Sequence, residues 1–232
     1  MKKYNNEKYL NELADCFKTK ENDEIAKQMK KYMRNQFDFH GIKTTERRKI
    51  TKSFLKENNR PPYGEIHEVI KKLWNEDNRE KQYFAQELVL KYKKEWDESI
   101  IELFEYMVIN KSWWDTVDII AKKLIGEYFL KYPQNLMFYY EKWVISDNIW
   151  LNRVTLIYQL GYKELTNEKN LFNAIEQLKV KNEFFIQKAI GWSLREYSKV
   201  KPKVINEYII NNELSNLATK EGLKWMKNND LL

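Results

Sequence analysis

Apolar residues along this chain recur at helical rather than strand spacing. Ile25, Met29, Tyr32 and Met33 form one set, Ile66, Val69, Ile70 and Leu73 a second, and Val117, Ile120, Leu124 and Tyr128 a third. Separations of three and four place each set on one face of a helix. Six glycines and four prolines leave little material for hairpins. No Asn-Gly or Asp-Gly turn separates alternating apolar runs, so β-hairpins lack their usual signal. Pro61-Pro62, Pro133 and Pro202 fall where helices start or stop. The pattern predicts about a dozen helices and no sheet.

The helices also repeat. Segments ending at Tyr92, Tyr128, Tyr162 and Tyr197 occupy matching places late in four helices, at spacings of 36, 34 and 35. The starts of those helices, near Arg79, Trp113, Ile149 and Phe185, recur with the same period. A period of this length fits stacked helix pairs. The TPR signature is absent, so HEAT-like pairs are preferred. The expected fold is all-α: a right-handed α-solenoid of HEAT-like helix pairs, one domain over residues 1–232, with its second helices lining a concave surface. An irregular helical bundle is the alternative.

Composition narrows the function classes. Hydrophobic residues make up 43% and charged residues 32% of 232 residues, as in a globular protein rather than a disordered one. No apolar run is long enough to span a bilayer, and no apolar stretch follows Lys2-Lys3, so no membrane partner and a cytoplasmic location are expected. One cysteine, Cys16, and two histidines, His40 and His67, exclude a disulfide framework and argue against a zinc site. Cys16 lies in an apolar-periodic stretch and is expected to be buried. Neither a metal nor a cofactor is expected. The net charge of +7 suits an acidic partner such as nucleic acid. A Lys-, Asn-, Ile- and Tyr-rich composition can also follow from an AT-rich genome, so the seven arginines (Arg34, Arg47, Arg48, Arg60, Arg79, Arg153 and Arg195) carry more weight.

Three segments carry candidate chemistry. In Lys111–Asp118, Ser112 is a candidate N-cap and Asp115 can reach back to it. Asp118 has no such task. It lies beside an apolar stripe, four residues after Trp114 and on the same helix face, where a ring and a carboxylate would suit a cation. The other reading open to Asp118 is an ion pair with a basic residue of the next repeat, with Trp114 in the core. In the second segment, Lys188, Trp192, Arg195 and Lys199 form a basic and aromatic stripe on one helix face, as a nucleic-acid surface requires. Phe185, Ile186, Ala189, Ile190 and Leu194 would supply the core beneath it. A solvated basic face is the alternative. In the third segment, Ser146 and Asp147 are N-cap candidates, and Arg153 follows in the early turns of the helix. Its planar fork suits phosphate. Tyr32, Arg47 and Arg48 are weaker candidates nearer the N-terminus.

Lys-Ser-Trp-Trp-Asp-x-Val-Asp (111–118), Ser-Asp-Asn-Ile-Trp-Leu-x-Arg (146–153) and Phe-Phe-Ile-Gln-Lys-Ala-Ile-Gly-Trp-x-Leu-Arg-Glu-Tyr (184–197) closely resemble the AlkD family of DNA alkylation repair glycosylases. The resemblance extends over essentially the whole chain, including Tyr32–Arg48. It implies a HEAT-like solenoid with a concave basic DNA-binding face. It also implies excision of purines alkylated at N3 or N7, mainly 3-methyladenine and 7-methylguanine, from duplex DNA, with the lesion kept in or near the base stack. Matching motifs places the catalytic carboxylate at Asp118, the two aromatic residues facing the lesion nucleotide at Trp114 and Trp192, and the DNA-contacting arginine at Arg153. Arg195 and Tyr32 take supporting positions; the basic stripe itself adds Lys188 as a DNA contact. Thr45 stands where the family commonly has Pro; Thr caps helices well, so no loss is expected. The implied enzyme is monofunctional and monomeric. A catalytically silent DNA-binding relative and a HEAT-type protein scaffold are the alternative readings.

Overall fold

In a computed structural model, which describes residues 4–57 and 60–232, the chain is a succession of helices. The only β interaction among the described residues is an isolated bridge between Asp38 and Asn78. Two compact units form, Met1–Leu103 and Phe104–Leu232.

The first unit holds α1 (Asn6–Lys18), α2 (Asp23–Tyr32), α3 (Thr44–Glu57), α4 (Ile66–Asn75) and α5 (Arg79–Leu90), and α6 (Ile100–Ile109) begins in it. Asn5 and Asn22 cap α1 and α2 with their side-chain oxygens. The core is built from Leu13, Phe17, Phe54, Ile66, Ile70, Phe84 and Leu88, all fully buried or nearly so. Cys16 is half-buried rather than buried, because Leu13 and Phe17 take the inward direction of α1. Glu80 is fully buried and accepts the backbone N–H groups of His40, Gly41 and Ile42, which fixes the loop before α3 onto α5.

The second unit holds α7 (Trp114–Ile119), a π-helical segment (Ile120–Ile125), α8 (Gly126–Lys131), α9 (Leu136–Val144), α10 (Ile149–Ile157), α11 (Glu168–Leu178), α12 (Phe184–Ser198), α13 (Pro202–Asn211) and α14 (Asn216–Lys227). Pro133 and Pro202 open helical segments, where their missing N–H costs nothing. The caps lie one or two residues from the expected positions. The cap of α7 is Trp113 in extended backbone, and the Ser112 hydroxyl instead donates to the Val108 carbonyl. The cap of α10 is Asn148, whose side chain accepts the N–H groups of Trp150 and Leu151; Ser146 accepts from Asn148.

The second helix of each pair starts at Arg79, Trp114, Ile149 and Phe184, 35 residues apart each time. Three residues into α5, α10 and α12 stands an amide side chain serving one purpose. Gln82 donates to the carbonyls of Leu73, Trp74 and Glu76, Asn152 to those of Trp143, Val144 and Ser146, and Gln187 to those of Lys179 and Lys181. Each closes the orphan carbonyls at the end of the preceding helix, which would otherwise be unsatisfied. In α7 this position is Val117, and the Ser112 hydroxyl serves the helix end there. The pairs are therefore repeats of one design, and the register they share places Asp118, Arg153 and Lys188 at one position in successive repeats.

Candidate functional site

Because that position recurs, side chains on α7, α10 and α12 meet across the repeats. Arg153 Nε donates to Asp118 Oδ1 at 2.7 Å and its Nη2 to Oδ2 at 2.9 Å, a bidentate pair. Its third arm, Nη1, donates to the Phe185 carbonyl at 2.5 Å. Three helices are thus tied through one guanidinium. The ring of Phe185 packs on Trp113 and Trp150, with centroids 5.1 and 5.0 Å away, and Trp113 lies 5.8 Å from Trp150. This aromatic wall steadies the carbonyl that Arg153 binds.

The two members of the ion pair are unequally exposed. Asp118 keeps 16% of its side-chain surface and Arg153 5%. A molecule approaching from solvent meets the carboxylate before the guanidinium. Arg153, expected to reach DNA, is buried, with its fork turned onto Asp118. The alternative reading of Asp118, an ion pair with the next repeat, describes this contact. Burial pushes the Asp118 carboxyl above its ordinary value, and the Arg153 hydrogen bonds and charge pull in the opposite direction.

Trp114 is the first residue of α7, one turn before Asp118 and on the same face, and it is half-buried. Trp192, one turn after Lys188 on α12, is half-buried as well. Ile186, Ala189, Ile190 and Leu194 form the buried side of α12 as expected, while Phe185 remains half-buried in the aromatic wall.

Lys188 and Arg195 do not stand free on their helix. Both bind Glu221 of α14: Lys188 Nζ lies 2.8 Å from Oε1 and Arg195 Nη1 2.8 Å from Oε2. Sequence reasoning missed Glu221, since a glutamate on an amphipathic helix carries no distinguishing signal. Lys199 pairs with Glu196 on its own helix. In the first unit, Tyr32 ends α2 and is 70% exposed. Arg47 is buried and grips Glu87 through both Nη atoms, and Arg48 Nε joins the same carboxylate.

Immediately after Asp118 the helix widens into the π-helical turn Ile120–Ile125. Such turns accommodate one extra residue and are frequent at functional sites. Among the described residues no cluster of His, Cys, Asp and Glu could hold a metal ion, and no helix is long and apolar enough to cross a membrane.

Known proteins resemble the chain as a whole. Residues 13–226 match the family model described as DNA alkylation repair enzyme. No curated protein matches the chain. Among solved structures, a "predicted DNA alkylation repair enzyme from Enterococcus faecalis" is 37% identical, with a TM-score of 0.83 over 89% of this chain and 96% of that one. AlkD2 from Streptococcus mutans is similar at 20% identity and a TM-score of 0.59, covering 85% of this chain and 98% of that one. Smu.31 from Streptococcus mutans is similar at 21% identity and a TM-score of 0.57, covering 74% of this chain and 88% of that one. These last two likenesses show the shared HEAT-like helical-repeat fold. With the family model spanning nearly the whole chain, the protein belongs to the AlkD-like family of DNA alkylation repair enzymes.

Proposed function

We propose that this protein is a monofunctional DNA glycosylase that hydrolyses the N-glycosidic bond of purines alkylated at N3 or N7 in duplex DNA. The observation that carries this reading is a carboxylate held from behind: Asp118 clamped by both arms of a buried arginine, on a helix face shared with Trp114.

Alkylation at N3 or N7 gives the purine a positive charge. Its glycosidic bond breaks with the electron pair leaving on the base, which departs neutral, so no general acid is needed. Positive charge grows on the deoxyribose instead. A preorganised carboxylate beside C1′ stabilises that charge and orients the attacking water, whose oxygen bonds to C1′ and whose proton passes to solvent. Asp118 takes this role. Trp114 and Trp192 pack against the lesion nucleotide and favour its cationic sugar through their ring faces. Arg153 acts on the reaction through Asp118, as a positioning residue, and the exposed cations hold the backbone phosphates. Tyr32, Lys188 and Arg195 support the duplex. The lesion stays in or near the stack, so cationic labile adducts are the substrates. The protein works as one domain and as a monomer, without metal or cofactor.

The test is release of free 3-methyladenine and 7-methylguanine from methylated duplex DNA by the wild type and by Asp118→Asn. The wild type releases both bases, and the variant loses about 10²-fold or more in rate while still binding DNA. A wild type that binds DNA and releases neither base is the silent relative instead.

A further inference from the structure

The basic stripe on α12 is not an open cationic surface, because one carboxylate from α14 already holds two of its three cations. Glu221 gives one oxygen to Lys188 and the other to Arg195, both at 2.8 Å. These cations are seven residues apart, about 10 Å along the helix, and the carboxylate bridges them as a backbone phosphate would. We propose that Glu221 stands in the place of a DNA phosphate, holding Lys188 and Arg195 in the free protein and competing with the duplex for them, so that it sets the affinity for undamaged DNA. This rests on the DNA-binding reading above.

Glu221 is held where it can do this. Its side chain keeps 17% of its surface, and α14 lies against α12 at Gly191. A Cβ at position 191 would come within 2.5 Å of the Glu221 Cβ and 2.8 Å of the Ala218 carbonyl oxygen. The glycine therefore permits a close approach that fixes the stem of Glu221 beside the two cations. The pair of cations holds the Glu221 carboxyl below the usual carboxylate range, Lys188 first, with Arg195 and Lys224 adding to it. The carboxylate is thus charged at neutral pH.

With Glu221 present, Lys188 and Arg195 offer DNA one net positive charge rather than two. Phosphate must displace the carboxylate and then tolerate it nearby. Such a brake weakens binding to every sequence equally, which helps a repair protein leave undamaged sites.

The experiment compares the wild type with Glu221→Gln and Glu221→Met on an undamaged, labelled duplex from about 50 to 200 mM salt. Both variants remove the charge, and Met keeps the apolar stem against α12; thermal melts establish that each is folded. Neutral variants should bind more tightly at low salt, with a plot of log K against log salt steeper by about 0.9 for each additional phosphate neutralised. Lys188→Gln or Arg195→Gln should then cost more affinity in a neutral-221 background than in the wild type. An unchanged slope, equal costs in both backgrounds, or weaker binding by folded neutral variants overturns the role of Glu221 alone. A wild type that binds no DNA overturns the DNA-binding reading as well.

Discussion

At Asp118 two requirements oppose each other. In the proposed role the carboxylate has to be ionised to stabilise a cationic sugar, and it has to be shielded from water for that charge to act strongly. Burial raises its pKa, and Arg153 offsets part of the rise through two hydrogen bonds and its charge. Under the proposed mechanism excision needs the ionised form, so its rate should fall as pH drops through the Asp118 pKa, beginning above the range of an ordinary aspartate. Removing Arg153 removes the lowering influences and leaves burial. Arg153→Lys cannot reproduce the bidentate fork, so its acid limb should move to higher pH than the wild type, alongside a slower plateau. Single-turnover excision across pH, corrected for spontaneous base loss, makes the comparison. A reduced plateau with an unmoved acid limb would mean that Arg153 serves DNA contact rather than the ionisation of Asp118. The pairing itself is only half legible in the sequence. Asp118 and Arg153 are each marked by their motifs, yet their contact depends on register between helices 35 residues apart, which single residues do not reveal.

Among the elements, the stretch from Trp114 to Tyr128 is one residue longer than the matching stretches from helix start to tyrosine in the other repeats. Second helices start 35 residues apart throughout, yet Tyr128 follows Tyr92 by 36 and precedes Tyr162 by 34. The extra residue lies between Asp118 and Tyr128, where the helix turns π-helical over Ile120–Ile125. The π turn absorbs the insertion, so Asp118 keeps its register with Arg153 while Tyr128 keeps the fully buried place of its repeat. The irregular spacing is visible in the sequence, but its location is not, because apolar periodicity tolerates a one-residue slip. Helix type, the period and the absence of a sheet among the described residues are readable because three- and four-residue apolar spacing persists for most of the chain. The caps are readable only to within one or two residues, because Ser146 and Asp147 are as good capping residues as Asn148, and Trp113 takes the cap of α7 by backbone conformation without any side-chain cap. Deleting Lys123 should convert the π turn into α-helix and leave a folded protein. Deleting Thr155 from the regular α10 rotates the buried Leu156 and Ile157 by about 100° and should unfold the second unit. Circular dichroism melts of the two deletions decide this; equal loss of structure would show that the π turn is not a removable insertion.

For the molecule as a whole, paired carboxylates set the acid limit of stability. Glu87 is pushed up by burial, but Arg47 and Arg48 outweigh this and hold it below its ordinary value. Lys188 does the same for Glu221, Lys179 and Tyr208 for Glu176, and Ser99 for Asp97. A carboxyl whose pKa is lower in the fold than in the unfolded chain binds fewer protons when folded, so acid favours unfolding. Its contribution is complete above the ordinary value and is lost as pH falls through the folded one. His67, whose pKa burial lowers, also binds fewer protons when folded, so stability should begin to decline gently as pH falls through about 6.5 and fall more steeply below about 4.5. Asp118, shifted upward, contributes with the opposite sign over its own range and blunts the decline. Glu87 is the sharpest probe, since the buried Arg47 holds it with both Nη atoms. Glu87→Gln leaves that guanidinium without its anion and should cost roughly 2 kcal/mol at pH 7, less than for a fully buried pair because Glu87 still touches solvent. As pH falls, the wild-type Glu87 becomes protonated and comes to resemble the glutamine. The gap between the two proteins in urea-unfolding free energy should shrink toward acid pH and close near the pH where the wild type itself unfolds. A gap that stays constant from neutral to acid pH would assign the loss to packing of the Glu87 side chain rather than to its charge.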